Sequence, residues 1–97
     1  MHTTPELLAG TTIDWQRLHR TTRIELGEKL IGRKIAYRTY SMLTEPGEKG
    51  EAKRMRVDDI DDTERRGKGR MRTFLGYNDD NVFIILPWSR IVEVTLL

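Results

Sequence analysis

Arg65, Arg66, Lys68 and Arg70 surround two glycines, and Arg54, Arg56 and Arg72 stand on the segments either side. Guanidinium presents paired donors that match phosphate oxygens, and arginine dominates this set. Glycine lets a backbone follow a phosphodiester chain closely. These residues are therefore the candidate nucleic-acid contacts, for RNA or DNA. Tyr37, Tyr40, Tyr77 and Trp88 would add the stacking faces that single strands require. Asp58, Asp59, Asp61, Asp62 and Glu64 directly precede the arginines. The same hairpin thus has a second reading, in which the carboxylates pair with the arginines and neutralise them.

Other chemistry finds little support. There is no cysteine, hence no thiolate nucleophile, disulfide or cysteine-type zinc site. His2 and His19 lie near no serine–carboxylate pair, with Ser41 and Ser89 the available serines, so no catalytic triad is expected. The acidic run lacks the alternating spacing and distant glutamate of a calcium loop. Arg66-Gly67-Lys68-Gly69-Arg70 is too short for a nucleotide-hydrolase phosphate loop and has no following Ser or Thr. The expectation is a non-enzymatic protein with no catalytic residue, no cofactor and no metal. A second functional class stays open beside nucleic-acid binding: a protein-binding adaptor or inhibitor of phage-like type. It would use Tyr77, Trp88 and Arg90 with the mixed-charge loops, and the apolar last strands would permit self-association.

Ninety-seven residues are enough for one domain with a modest core. The net charge of +2 implies no polyanion partner by itself, but its distribution is uneven. Residues 44–72 hold nine Lys/Arg and eight Asp/Glu, whereas residues 73–97 hold one and three. Charge is thus crowded into the middle, in separate blocks of each sign. No stretch approaches the roughly 18–20 apolar residues that span a bilayer. The opening residues also lack the basic and apolar regions of a secretory signal. A cytoplasmic location and no membrane partner are expected.

Residues 1–11 read as a flexible N-terminal segment and 12–97 as a single domain. Ile13, Trp15, Leu18, Thr22, Ile24 and Leu26 approximate helical spacing, which predicts a helix over 12–31, capped by Thr12 or Asp14 and breakable near Gly27. Arg17, Arg20 and Arg23 fall three apart, along one polar side of it. From Lys34 the period changes to two. Strands are expected over 34–43, 52–60, 71–77, 82–86 and 91–96. Pro46 and Gly47 mark a long connection, the acidic run ends the second strand, and residues 64–70 form a basic loop. Pro87 lacks an N–H and ends the fourth strand, leaving Trp88 partly exposed at a corner.

These expectations combine into a mainly β fold with an N-terminal helix, a small five-stranded barrel that closes to hide its edges. The expected core is Leu26, Leu30, Ile35, Tyr37, Met55, Val57, Phe74, Leu75, Val82, Ile84, Leu86, Ile91, Val92 and Val94. A helix ending in Gly-Arg-Lys-Ile-Ala-Tyr-Arg, an arginine-rich second strand, Thr73-Phe74-Leu75-Gly76-Tyr77 and a closing Leu86-Pro87-Trp88-Ser89-Arg90-Ile91-Val92 resemble a WYL domain. The likeness covers residues 24–97. It implies a Sm-like small barrel of the kind found in bacterial regulators and phage-defence proteins, where binding of nucleic acid or small effectors is implicated. Arg90-Ile91 would match that family's Arg-Ile pair. Its name-giving step reads Arg72-Thr73-Phe74 here, and Pro87 and Ser89 replace its Arg and Asp, so no effector is carried over.

Overall fold

Period-two sequence becomes strand here because each strand buries one face and exposes the other. The computed structural model describes residues 8–40, 50–65 and 69–97. It contains β1 (Thr12–Asp14), α1 (Arg20–Leu30), β2 (Lys34–Thr39), β3 (Lys53–Arg65), β4 (Gly69–Tyr77), β5 (Phe83–Pro87) and β6 (Ile91–Leu96). Single 3-10 turns, Trp15–Arg17 and Trp88–Arg90, precede α1 and β6. All strands join one antiparallel sheet in the order β1-β6-β2-β3-β4-β5.

The mainly β architecture with one helix is as expected, but the five-stranded closed barrel is not what forms. A sixth strand is present, and β1 and β5 end the sheet without pairing to each other. The difference begins at residues 12–19, expected to be helical. Ile13 lies opposite Val94 in a ladder with β6, and Trp15 turns fully inward. Neither Thr12 nor Asp14 caps a helix; Asp14 instead pairs with Arg17 at 3.3 Å. The helix starts later, where His19 Nδ1 accepts from the Thr21 N–H at 3.3 Å. Residues 10 and 11 are tied to β6 by Gly10 N–H to Leu96 O and Leu96 N–H to Thr11 O, at 2.6 and 2.9 Å.

The sheet curls although its ladder stays open. Trp15 near one end of the sheet meets Phe74 of β4 and Trp88 after β5, with ring centroids 5.5 and 5.2 Å away. Phe74 and Trp88 complete the trio at 5.1 Å. Gln16 fastens the seam, its amide donating to the carbonyls of Trp88 and Ile91 at 2.9 and 2.7 Å. Side chains thus do what a closing ladder does in a barrel.

Trp88 is only 7% exposed, against the expected half-open corner. The cause lies in α1, which is not broken at Gly27. A Cβ at that position would stand 2.6 Å from Trp88 Cζ2, so the missing side chain makes room for the indole. The helix ends at Gly32, whose φ of +87° favours glycine. Its N–H donates to Val57 O at 2.6 Å and fixes the helix over β3.

Around this seam lies one core: Ile13, Trp15, Leu26, Leu30, Ile35, Tyr37, Met55, Val57, Phe74, Leu86, Trp88, Ile91, Val94 and Leu96. Ten of the expected residues are in it. Leu75, Ile84 and Val92 are only partly buried and Val82 is exposed. The apolar run 82–86 lies at the sheet's end and keeps one face in water.

The acidic run does not end β3. The strand continues to Arg65, paired with β4 out to Gly69, and β4 starts two residues earlier than expected. A bulge at Asp58 accommodates the change, the register stepping from Val57↔Gly76 to Asp59↔Leu75. A side chain at Gly76 would collide with the Arg56 carbonyl, so the close approach at the bulge requires glycine. Beyond the bulge the burial parity reverses: Met55 and Val57 face the core before it, and Ile60 packs against the core after it. The β3–β4 pair reaches past the rest of the sheet as a two-stranded arm, because β2 stops at Arg56 and β5 at Thr73. The long connection expected after residue 43 falls largely at 41–49, outside the described residues.

Candidate nucleic-acid interface

The expected arginines do not form one surface. Arg54 and Arg56 lie exposed on the first half of β3. Arg56 is held by Asp58, Nε to Oδ1 at 2.8 Å. That hydrogen bond first, and the carboxylate charge second, push its pKa above the ordinary arginine value. Asp79 lies near both, in contact with Lys34 at 3.2 Å, so this patch carries both signs.

Arg72 lies elsewhere. Its side chain is 15% exposed, its guanidinium sits 5.9 Å above the Trp88 ring, and Nη2 reaches Asp62 Oδ2 at 3.6 Å. The pairing of arginines with Asp58 and Asp62 realises in part the neutralised hairpin that the sequence allows. Arg65 and Arg70 occupy ladder positions opposite Gly69 and Glu64 on the arm. Arg66 and Lys68 lie outside the described residues. Of the expected partner contacts, Tyr77 is exposed and meets Phe83 edge-on at 5.5 Å, Arg90 is exposed, and Trp88 is buried.

A grouping missed by sequence reasoning gathers around Arg72 instead. Gln16, Arg20, Arg23, Ile24, Met71, Arg72, Trp88 and Ser89 line an open groove of about 350 Å³ between α1 and the base of the arm. Arg20 and Arg23 of α1 and Arg72 of β4 line it together, and no carboxylate is among its lining residues. Gln16 helps to order the wall, since Arg23 Nη1 donates to its Oε1 at 3.4 Å. Arg20 has no ion-pair partner among the described residues.

The helix makes this arrangement costly. Arg20 is the first residue of α1, and no acidic residue occupies the first turn. The N-terminal end of a helix carries partial positive charge, so a cation there loses about 0.3–1 kcal/mol relative to the favourable sign. A single anion in the groove would answer both the arginines and the helix end. The signal was present in the spacing of Arg17, Arg20 and Arg23. Arg17 leaves the group because it sits on the 3-10 turn, paired outward to Asp14.

The neighbouring groove has the opposite character. Glu28, Ile31, Asp59, Ile60 and Asp62 line it, with Ile24, Arg72 and Trp88 shared between the two. No group of three or more His, Cys, Asp or Glu side chains has metal-ligating geometry among the described residues. No helix of the described residues is long and apolar enough to cross a membrane. Comparison of the chain with family models, curated proteins and solved structures gives no match.

Proposed function

We propose that this chain is a small, non-enzymatic nucleic-acid-binding module that takes backbone phosphates in the groove between α1 and the β3–β4 arm. The observation that carries the reading is the convergence of Arg20, Arg23 and Arg72 on one open groove with no carboxylate in its lining. Arg72 sits at the foot of the arm, and Arg65, Arg66, Lys68 and Arg70 follow along the same hairpin in sequence. A strand of nucleic acid would run from the helix end up the arm. Arg54 and Arg56 drop out of the contact set, because they stand on the mixed-charge patch near Asp58 and Asp79.

The Sm-like reading enters here in reduced form. A helix followed by five strands, the last returning to pair with the first of them, supports it. The added β1 and the side-chain seam set this chain apart from a closed small barrel. The adaptor reading loses its main anchor with Trp88 inside the core.

Fluorescence anisotropy with single-stranded RNA and DNA at two salt concentrations tests the proposal. Binding should weaken with salt, each phosphate contact adding about 0.7 to the logarithmic slope. Arg20→Ala with Arg23→Ala should lower that slope by about 1.4, whereas Arg54→Ala with Arg56→Ala should leave it unchanged. Absence of binding at low salt, or a double variant indistinguishable from the parent, refutes the reading.

A further inference from the structure

A second open cleft, of about 330 Å³, is walled by the end of β2, the first residue of β3, β5 and Arg90. Tyr37, Tyr40, Lys53, Phe83 and Arg90 line it, and no carboxylate is among its described lining residues. Its volume falls in the range of small-ligand sites, about 300–1,000 Å³.

Lys53 stands opposite Tyr37 in the β2–β3 ladder and two residues before Met55, so alternation puts it on the core-facing side of the sheet. It stays exposed there because the cleft opens at that end. Neither Lys53 nor Arg90 has an ion-pair partner among the described residues.

Tyr37 is only 5% exposed, and its hydroxyl makes no hydrogen bond among the described residues. The fully enclosed side-chain polar atoms that lack a partner are the indole nitrogens of Trp15 and Trp88. The Tyr37 hydroxyl is therefore not sealed in, and it opens where its side chain lines the cleft. Burial pushes its pKa upward, so the phenol remains a donor at neutral pH. An enclosed ring with one unpartnered donor is a feature of a built site, since buried polar groups are otherwise satisfied.

Tyr37, Lys53 and Ile84 also line an adjoining cleft, which contains Asp79 and Asp80. Those carboxylates repel an anion and leave it the side that carries Arg90. The rest of the lining is apolar and aromatic. Tyr40 and Phe83 are 42% and 50% exposed, and Tyr77 braces Phe83 edge-on at 5.5 Å. Cations, a phenol donor and exposed rings in one cleft match a ligand with an anionic end and a flat body.

We propose that this cleft holds one unstacked nucleotide, its base against Tyr40 and Phe83 and its phosphate met by Lys53, Arg90 and the Tyr37 hydroxyl. Stacking on aromatic side chains accepts every base, while the cations take the backbone. Ser89 lines the α1 groove and Arg90 lines this cleft, so the 3-10 turn between β5 and β6 borders both. One strand would occupy the two together. A duplex keeps its bases stacked and paired, so the cleft selects single strands. The extension to a strand rests on the proposed phosphate groove; the nucleotide site does not.

Heteronuclear NMR of the full chain, titrated with adenosine and uridine 5′-monophosphate to about 10 mM, covers the affinity expected of one nucleotide. Saturable amide shifts should centre on Tyr37, Tyr40, Lys53, Phe83 and Arg90. Inorganic phosphate should bind the cleft about tenfold more weakly, and Tyr40→Ala with Phe83→Ala should weaken the nucleotide about as much. Tyr37→Phe keeps the packed ring and should cost about three- to tenfold in affinity, with an unchanged circular dichroism spectrum. The proposal is overturned by an absence of saturable shifts at the cleft, by equal binding of phosphate alone, or by shifts confined to the α1 groove. Tyr37→Phe and the double variant both binding like the parent overturn it too. Strand binding by the Arg20→Ala, Arg23→Ala variant reads the other site. Loss of strand affinity in that variant beside an empty cleft leaves the groove standing, and a filled cleft beside unchanged strand affinity leaves the nucleotide site.

Discussion

The two grooves flanking Arg72 share Ile24, Arg72 and Trp88 and are of similar size, about 350 and 340 Å³, yet they are opposite in charge. The first receives Arg20 and Arg23 from the beginning of α1; the second receives Glu28 from its end and Asp59 and Asp62 from β3. The first assignment runs against the helix dipole, which favours acid at the start; at the other end the last turn carries Lys29 beside Glu28. The contrast between the grooves is the feature on which the proposed phosphate site rests.

That comparison can be broken at the floor, at the divide or at one wall. Trp88→Ala removes the floor of both grooves and one member of the aromatic trio. Urea unfolding should show a loss of about 3–5 kcal/mol, with both grooves collapsing. If the loss is under about 1 kcal/mol, the indole is not the common support. Arg72→Met keeps the packed stem but removes the charge dividing the grooves. Loss of the contact over Trp88 and of the partly screened Asp62 pair should cost about 1 kcal/mol. Nucleic-acid affinity should fall with it, since the basic groove loses its central cation.

Arg20→Glu is the smallest change and the sharpest. Matching the helix dipole should raise stability by about 0.3–1 kcal/mol, while the reversed charge at the groove should abolish binding. Stability and affinity moving in opposite directions would tie the helix-end arginine to function. Both falling together would make it a structural residue.

Much of the scaffold was legible in the sequence, because burial on one face leaves a period of two. The last strand was read with its observed limits, and Met55, Val57, Phe74 and Leu86 were placed inward correctly. The first strand was not, because Ile13 and Trp15 fit a strand followed by a 3-10 turn as well as a helix. Only pairing with β6 decides between them. The extent of β3 was misjudged because aspartate is a poor strand residue, and at 58–62 tertiary pairing overrides that preference. The candidate site was half legible. Arg72 was identified, but the residues that join it come from a helix and a turn some fifty positions earlier, and only the curling of the sheet brings them together.

The single added residue at Asp58 sets which way the arm presents itself. By inserting half a pleat, it lets one strand turn Arg54 and Arg56 outward and still bring Asp62, and through it Arg72, round to the helix side. Deleting Asp58 would turn the distal arm face for face without altering any other residue. One backbone irregularity thus works as an aiming device, and insertions or deletions there should redirect what the arm touches more than any exchange of charge along it.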